Sequence, residues 1–400
     1  MNVLYVNQTS QMSGAERSLL TLLEEVRGAV SPTVACPPGR LAREVEALGI
    51  PTVPIRSTDV SFRLHPVHTP RGLGELAAAA REVARVARDA GTDVVHANTT
   101  RAGLVAIGAS RLGAPRPVVH VRDWVPEGRA AQATLAVVRR GAAEVVANSH
   151  WAAAQFGAGA RTGARVTVLH NPIDAVRFDP ERIPREAARA ALDLVPGQIA
   201  VGVVGQLTPW KGQRDAVEAL ALIAEQNPRI QLVLAGSAKF AAASTRFDNR
   251  AYESELRARI DALGLYRRVL LLGEREDVPQ VMRALDVLLV PSWREAFGRV
   301  AAEAMAMQVP VIATNVGGPA EIVADGVTGS LLPPRDPARW AREIVALAEA
   351  PTRRTAYGRA GRRLVLERFD SRAHVAALLD VYRRAVRTPG RAQQQGSPCG

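Results

Sequence analysis

The stretch Val287-Leu288-Leu289-Val290-Pro291-Ser292-Trp293-Arg294-Glu295-Ala296-Phe297-Gly298 runs from an apolar strand into the start of a predicted helix, and Glu303 follows within that helix. Open parallel α/β sheets bind ligands at this kind of position, the carboxyl end of a strand at the mouth of the next helix. The helix start offers unpaired N–H groups and the positive end of a dipole to phosphate or hydroxyl oxygens. The stretch therefore predicts an α/β domain that binds a polar ligand at this edge.

The two carboxylates of this region suit one extended ligand. Glu303 lies eight residues after Glu295, which corresponds to about 12 Å along a helix and to azimuths about 80° apart. Such a pair can grip the two ends of an extended polar molecule. The separation is too long for a hydrolytic carboxylate pair, which lies roughly 5 to 9.5 Å apart.

Apolar runs alternate with Ala-, Leu- and Arg-rich helical segments along the chain. The first series of strands is predicted at 3–6, 33–36, 94–96, 118–121, 145–147 and 166–169. The second series is predicted at 199–204, 231–235, 269–272, 287–290 and 309–313. This βα alternation predicts two parallel, doubly wound sheets. The polar, proline-containing stretch 170–197 between them is predicted to be the interdomain linker.

The composition bounds the class of protein. With 400 residues, 47% of them hydrophobic, the chain has room for two domains with substantial cores. No stretch reaches the roughly 18 apolar residues of a membrane span, and the N-terminus resembles a strand rather than a signal peptide. Cys36 and Cys399 are the two cysteines. They give no basis for a structural disulfide, so we expect a cytoplasmic protein.

The formal charge of +12 comes from arginine, since Lys211 and Lys239 are the only lysines. A basic surface can attract nucleic acid, anionic membranes or anionic substrates. The arginines are dispersed rather than clustered, which is typical of a chain that uses Arg where others use Lys. We therefore expect no nucleic-acid partner. A peripheral membrane contact stays open, with Arg81, Arg85 and Arg88 on one predicted helix as its candidate face.

Several common catalytic motifs do not occur in the sequence. Gly-x-Gly-x-x-Gly does not follow the first strand, and the loop 205–212 is not a P-loop. Asp-x-Asp, a clustered set of His ligands and Gly-x-Ser-x-Gly are also missing. We therefore expect neither a dinucleotide cofactor nor a metal ion.

The region around the two glutamates resembles the retaining glycosyltransferases of family 4. The similar residues are Glu295–Glu303 with Gly298, PVIAT at 310–314, GGPAEIV at 317–323, and Ser13-Gly14-Ala15-Glu16. The resemblance spans nearly the whole chain and implies the GT-B fold, two Rossmann-like doubly wound domains facing across a cleft.

The resemblance also implies a different binding role for each domain. It makes residues 1–172 an acceptor-binding domain, with a helix at about 371–386 packing back on it. It makes residues 173–370 the nucleotide-sugar-binding domain. Residues 388–400 are rich in Gly, Gln and Pro and are predicted to be a disordered tail.

For the second domain, the resemblance implies a donor site. Glu295 is expected to bind hydroxyls of the donor sugar, and Glu303 those of the ribose. Lys211 is expected to carry the charge of the diphosphate, because this chain has Gln206 where the family usually has a second cation, an arginine. The other implied donor contacts are Gly14, Arg275 in the base-recognition stretch, and the backbone N–H groups of Phe297, Gly298 and Arg299.

Residues of the first domain are implied to face the acceptor or the reacting carbon. The family commonly places a histidine near the end of the strand at 118–121. Either His120 or Arg122 can hold that position, and we take His120, with Glu295 and Lys211, as the catalytic set. The further candidate acceptor residues are Ser13, His96, Asn98, Arg122, Asp123 and Asn148.

The sequence is thus interpreted as a retaining transferase that moves a hexose or N-acetylhexosamine to an acceptor hydroxyl. UDP is the commonest donor nucleotide in the family, and the favoured acceptor is a small molecule such as an aminocyclitol or natural-product scaffold. A lipid-linked or polysaccharide acceptor at the membrane surface is the alternative. A nucleotide-sugar epimerase and a non-catalytic basic binding protein are the remaining hypotheses.

Overall fold

The computed structural model describes residues 1–58, 68–125, 128–157, 163–239 and 247–387. The predicted tail at 388–400, with Cys399, lies outside these ranges. The chain divides into two compact units. Unit 1 comprises Met1–Pro172 and the segment that begins at Ser371, and unit 2 comprises Ile173–Asp370.

Unit 1 contains a parallel sheet. Its described strands are β1 (Asn2–Val6), β2 (Ser31–Cys36), β3 (Thr52–Pro54), β4 (Val94–Ala97), β5 (Val118–Val121), β6 (Glu144–Ala147) and β7 (Arg165–Val168). The helices between them are α1 (Gly14–Val26), α2 (Arg40–Ala47), α3 (His68–Asp89), α4 (Thr100–Ser110), α5 (Arg129–Gly141) and α6 (His150–Ala154). The spatial order β3-β2-β1-β4-β5-β6-β7 reverses direction between β1 and β4.

Unit 2 repeats this plan. Its helices are α7 (Arg185–Ala190), α8 (Gln213–Ala221), α9 (Asn249–Ala262), α10 (Val278–Ala284), α11 (Arg299–Ala306), α12 (Pro319–Ile322), α13 (Pro337–Ala348) and α14 (Pro351–Arg368). Its strands are β8 (Ile199–Val204), β9 (Ile230–Ala235), β10 (Val269–Gly273), β11 (Val287–Val290), β12 (Val311–Thr314) and β13 (Gly329–Leu332). The order β10-β9-β8-β11-β12-β13 reverses between β8 and β11. The last described helix, α15 (Ser371–Arg387), returns to unit 1.

The predicted doubly wound α/β class is confirmed in both units. Strands such as β11 are apolar along their whole length because helices cover both faces of a parallel sheet. Each reversal of strand order leaves a crevice at the carboxyl ends of the two central strands, because the flanking helices lie on opposite faces there. None of the helices in the described ranges is both long and apolar enough to cross a membrane.

The interdomain linker predicted at 170–197 is wrong for most of that stretch. Phe178 and Leu192 are buried in the core of unit 2, and α7 begins within the stretch. Arg185 and Arg189 pair with Asp286 at 2.8 and 3.0 Å. The prolines and polar residues that resembled a linker therefore belong to a packed segment of unit 2. Two short edge strands, β3 and β13, were not predicted.

Candidate functional site

The candidate site of unit 2 lies at the carboxyl edge of its sheet, where the strand order reverses. Lys211 follows β8 and Glu295 follows β11, and these two strands are hydrogen-bonded neighbours. The Lys211 ammonium forms an ion pair with the Glu295 carboxylate, with side-chain exposures of 18% and 13%. The Ser292 hydroxyl donates to the same carboxylate at 3.4 Å. The topology thus brings together two predicted site residues from distant parts of the sequence.

Two glycines set the position of the Glu295 loop. A Cβ on Gly317, which has φ +80°, would lie 2.3 Å from the Glu295 carbonyl oxygen. A Cβ on Gly318 would lie 2.3 Å from the Cα of Phe297. The Gly318 N–H donates to the Glu295 carbonyl at 2.9 Å. Backbone therefore packs directly on backbone here, which only glycine permits.

Helix α11 begins at Arg299, directly after Gly298, which has φ +88°. Within its first turns Arg299 Nε lies 2.5 Å from Glu303 Oε1, and both side chains are largely buried. Glu303, predicted to bind ribose hydroxyls, is therefore held by a salt bridge in this structure. The sequence implied a backbone role for Arg299, and the structure adds this side-chain contact.

Two tryptophans adjoin the Lys211–Glu295 pair. Lys211 Nζ lies 4.5 Å from the centroid of the Trp210 ring, within the range of a cation–π contact. Trp293 donates its indole N–H to Asp215 at 2.6 Å, and the Arg335 guanidinium covers its ring at 3.8 Å. Burial raises the pKa of Asp215. These contacts hold the side chains of Trp210 and Trp293 in place beside the ion pair.

The predicted donor contacts that follow β8 and β10, Gln206 and Arg275, bond to neighbouring protein groups in this structure. Gln206 Nε2 donates to the Lys239 carbonyl at 3.1 Å, so its amide holds the loop that follows β9. Lys239 Nζ pairs with Glu274 at 2.7 Å. Arg275 forms two contacts with Asp277, at 2.8 and 2.6 Å. This hydrogen-bonded pair lowers the pKa of Asp277.

In unit 1, buried polar side chains form a chain along the carboxyl edge of the sheet. Asn7 follows β1 and donates to Glu16 at 3.2 Å, and Asn98 after β4 donates to Asn7 at 2.9 Å. Arg122 after β5 donates through Nε to Asn98 at 3.0 Å and through Nη1 to Asn171. The network therefore crosses the reversal of strand order and brings two predicted acceptor residues, Asn98 and Arg122, together.

The start of α1 joins the same network. The Ser13 N–H and hydroxyl both donate to the Glu16 carboxylate, the former at 3.0 Å, and the two residues form a capping box at the start of α1. Gly14 opens the helix, and a Cβ there would meet nothing within 4 Å. Open space thus lies beside the first turn of α1, at the glycine that the resemblance implied as a donor contact.

A buried cluster of rings lies between the sheet of unit 1 and α15. His96 and His120 have ring centroids 5.5 Å apart, and His120 stacks on His374 of α15 at 6.4 Å. Tyr382 bonds to His96 Nδ1 at 2.8 Å and donates to the Tyr5 hydroxyl at 3.1 Å. Burial lowers the pKa of His96 and His120 well below 6.5 and that of His374 to about 4.

The structure separates the two alternatives at this strand. His120 lies within β5, is fully buried and faces the ring cluster under α15. Arg122 lies beyond the end of β5, at the edge that carries the polar network. The two side chains therefore lie in different surroundings, His120 among buried rings and Arg122 in the polar network at the edge, and the role of either toward a ligand stays a prediction. His96, another predicted acceptor residue, lies in the same buried cluster.

Two further predicted residues lie at this edge beside an aromatic pair. Asn148 after β6 donates to the Arg122 carbonyl at 3.3 Å, and Asp123 accepts a bond from Thr100 at 3.4 Å. Next to them Trp124 and Trp151 stack with ring centroids 3.9 Å apart and an interplanar angle of 27°. Both indoles are half-buried.

Sequence reasoning missed the aromatic residues of both edges. The chain has five tryptophans, and all but Trp340 lie just beyond a strand: Trp124 after β5, Trp151 after β6, Trp210 after β8 and Trp293 after β11. In a chain with only 4% aromatic residues, this placement was a readable signal. Across the described residues, no group of three or more His, Cys, Asp or Glu side chains is arranged to hold a metal ion.

Two family models match the chain. The model described as Glycosyl transferases group 1 matches residues 184–364, and the model described as Glycosyltransferase Family 4 matches residues 12–177. A D-inositol 3-phosphate glycosyltransferase of Mycobacterium sp. (strain KMS) is 38% identical over 186 residues, which are 46% of this chain and 39% of that protein. The chain therefore matches less than half the length of this curated relative.

Solved structures are similar over nearly the whole chain. The crystal structure of Anabaena HepE in complex with UDP and glucose has a TM-score of 0.81 and 27% sequence identity, and covers 95% of this chain and 99% of that one. The crystal structure of WaaG, a glycosyltransferase involved in lipopolysaccharide biosynthesis, has a TM-score of 0.72 at 18% identity, and covers 96% and 99%. At that identity the likeness to WaaG shows the fold alone.

Proposed function

We propose that this chain, which belongs to the family 4 glycosyltransferases, transfers a hexose from a UDP-sugar to an acceptor hydroxyl with retention of configuration. Its two doubly wound units are those of the GT-B fold. The observation that carries the proposal is the Lys211–Glu295 pair at the reversal of strand order in unit 2. The choice of UDP is supported by the complex of HepE with UDP and glucose.

In the proposed donor site, the ion pair holds one cation and one carboxylate in position for the donor. A diphosphate attracts the Lys211 ammonium, and the Glu295 carboxylate is then available to accept hydrogen bonds from the hydroxyls of the sugar. The N–H groups at the start of α11 meet phosphate or sugar oxygens without further rearrangement. In this proposal Glu303 bonds to the ribose while Arg299 fixes its orientation.

The proposed reaction is a substitution on one face of the sugar. The bond between the anomeric carbon and the phosphate oxygen breaks, and the acceptor oxygen bonds to that carbon from the same side. The acceptor proton passes to the departing phosphate oxygen, so the products are the glycoside and UDP. Lys211 stabilises the negative charge that grows on the leaving diphosphate, and the other residues supply position.

We assign the acceptor to the edge of unit 1 that carries Asn98, Arg122 and Asp123. The curated relative is named for a cyclitol phosphate acceptor, which supports a small molecule over a polymer. A lipid-linked acceptor remains the alternative hypothesis. Co-sedimentation with anionic vesicles, with and without an Arg81→Glu/Arg85→Glu variant of the exposed stripe on α3, distinguishes the two.

Calorimetric titration with UDP, GDP, ADP and dTDP tests the donor assignment. We expect selective binding of UDP that Glu303→Gln weakens, since the variant keeps the shape of the side chain but loses its charge. Glu218→Gln is the matched control, because Glu218 is a paired carboxylate of unit 2 that salt-bridges to Arg259 on another helix. If no diphosphate binds at millimolar concentration, the transferase proposal is wrong. Transfer is expected to persist in EDTA.

A further inference from the structure

The stacked indoles of Trp124 and Trp151 form an aromatic platform at the carboxyl edge of the sheet in unit 1. Trp124 follows β5 and Trp151 lies in α6 after β6, and these strands are hydrogen-bonded neighbours. The ring centroids are 3.9 Å apart, so each indole uses one face on the other. Both side chains keep part of their surface exposed. The partly exposed stack of two indoles therefore presents an apolar surface in an otherwise polar edge.

The platform is held in place by one glutamine. Gln155 Oε1 accepts a bond from the Val125 N–H at 2.9 Å, and its Nε2 donates to the Asp123 carbonyl at 3.4 Å. The same amide also donates to the Ala152 carbonyl at 3.2 Å, which ties the loop after β5 to α6. The backbone on both sides of Trp124 is therefore hydrogen-bonded to the Gln155 side chain. Preorganisation of this kind is typical of a binding surface.

A carboxylate lies in the same loop. Asp123 is half-buried and accepts a bond from the Thr100 hydroxyl at 3.4 Å. In the described part of the chain it forms no salt bridge with a lysine or arginine, unlike the paired carboxylates of unit 2. An ionised carboxylate is acceptor-only, so it favours hydroxyl donors and disfavours anionic groups. The loop thus combines an apolar face with an acceptor of hydroxyl protons.

We propose that Trp124, Trp151 and Asp123 form a subsite for a cyclic polyol, a pyranose or cyclitol ring that belongs to the acceptor. Such a ring has a C–H face that packs on an indole and a rim of hydroxyls that bond to a carboxylate. A linear polyol offers the same hydroxyls without a rigid face, and a phosphate group is repelled by Asp123. The inference rests on the proposed function, because it names the acceptor class of that reaction.

Direct binding tests the subsite without catalysis. We titrate the full chain with myo-inositol, methyl α-glucoside and the linear polyol sorbitol, and follow tryptophan fluorescence. The two cyclic probes are expected to change the emission, and sorbitol is not. Trp151→Leu is expected to abolish the change, whereas Tyr266→Ala, which removes an aromatic ring 63% exposed on unit 2, leaves it intact. Equal responses to sorbitol and to the rings overturn the inference.

Kinetics with UDP-glucose and a cyclic acceptor give a second readout. Trp151→Leu removes one stacking contact, so we expect the acceptor KM to rise about tenfold. The kcat is expected to stay within about threefold of the parent value, because only a binding contact is lost. Tyr266→Ala is expected to leave both the acceptor KM and the hydrolysis of UDP-glucose in the absence of acceptor unchanged. If Trp151→Leu does not fold, Trp151→Phe and Asp123→Asn replace it, with smaller increases in KM. An unchanged acceptor KM in a folded variant overturns the inference.

These outcomes separate the subsite from the proposed function. If UDP binds and UDP-glucose is hydrolysed, but no cyclic polyol binds or accepts, the donor assignment stands and the subsite is wrong. If no diphosphate binds while the cyclic probes still change the emission through Trp151, the transferase proposal fails and the ring site stands.

Discussion

Lys211 and Glu295 neutralise each other across the point where the strand order of unit 2 reverses. Each residue follows one of the two central strands, so the salt bridge connects two loops that only the parallel topology brings together. Both side chains are largely removed from water, which strengthens their attraction and makes either one costly to leave alone. A ligand that enters this crevice has to exchange contacts with both residues at once.

Replacement of Lys211 is expected to damage catalysis. Lys211→Met removes the cation that faces the leaving diphosphate, and we expect kcat/KM to fall by about 100-fold or more. Lys211→Arg keeps the charge but not the compact ammonium, so a smaller loss is expected. Initial rates with UDP-glucose measure both variants. Equal activity of Lys211→Met and the parent would remove Lys211 from the mechanism.

Gln206→Arg is expected to tighten the binding of UDP. The family usually has an arginine here, and a second cation near the diphosphate adds attraction that weakens as salt increases. Gln206→Met is the control, because it removes the bond to the Lys239 carbonyl without adding charge. Calorimetry at two ionic strengths distinguishes them. A gain in affinity that is the same at both salt concentrations contradicts an electrostatic origin.

Gly317→Ala is expected to displace the Glu295 loop. Gly317 and Gly264 both have positive φ, +80° and +67°, so alanine costs about 1–2 kcal/mol of backbone strain at either position. Only Gly317 faces a backbone oxygen 2.3 Å from the new Cβ, while nothing lies within 4 Å at Gly264. We expect a further loss of roughly 1–3 kcal/mol and reduced UDP binding for Gly317→Ala alone. Urea denaturation and calorimetry compare the pair.

The buried histidines predict a loss of stability in mild acid. Burial and then Arg122 lower the pKa of His374 to about 4, and burial, Arg122 and the neighbouring histidines lower the pKa values of His96 and His120 well below 6.5. Below pH 6.5 the unfolded chain therefore binds more protons than the folded one. Each histidine that stays neutral costs up to about 1.4 kcal/mol of stability per pH unit below 6.5.

Urea denaturation between pH 7.5 and 5 checks this expectation. His374→Leu is expected to reduce the slope of stability against pH in that window. His150→Gln, a change at an exposed histidine of unit 1, is the control and is expected to leave the slope unchanged. A parent protein as stable at pH 5 as at pH 7.5 would contradict the assignment of neutral, buried rings.

The sheets were predictable from sequence because a parallel strand covered on both faces is apolar throughout. The predicted strands 118–121 and 287–290 coincide with β5 and β11. The short edge strands gave weaker signals, since β3 ends in a proline and β13 begins with a glycine. The segment 173–197 resembled a linker because its anchors, Arg185 and Arg189, pair with a residue about 100 positions away.

The sequence predicted positions for the candidate site, but it did not predict the contacts that the side chains at those positions form. The family resemblance and the positions after strands predicted Lys211, Glu295 and Glu303 as site residues, but not the salt bridges that Lys211 and Glu303 form with Glu295 and Arg299. The burial of His120 depends on α15, which is more than 200 residues later in the chain. No local pattern could show that a distant helix covers this face of the sheet, or that the amide of Gln206 bonds to the loop after β9.

The return of α15 to unit 1 has a consequence for synthesis on the ribosome. Unit 2 is continuous in sequence, whereas unit 1 lacks α15 until unit 2 has been translated. Until then the nascent sheet exposes Tyr5, His96 and His120 to water, because the partners that bury them are His374 and Tyr382. The unit made first is therefore completed last. We therefore expect unit 1 to complete its packing only after unit 2 has been synthesised, in contrast to the usual order in which the N-terminal domain folds first.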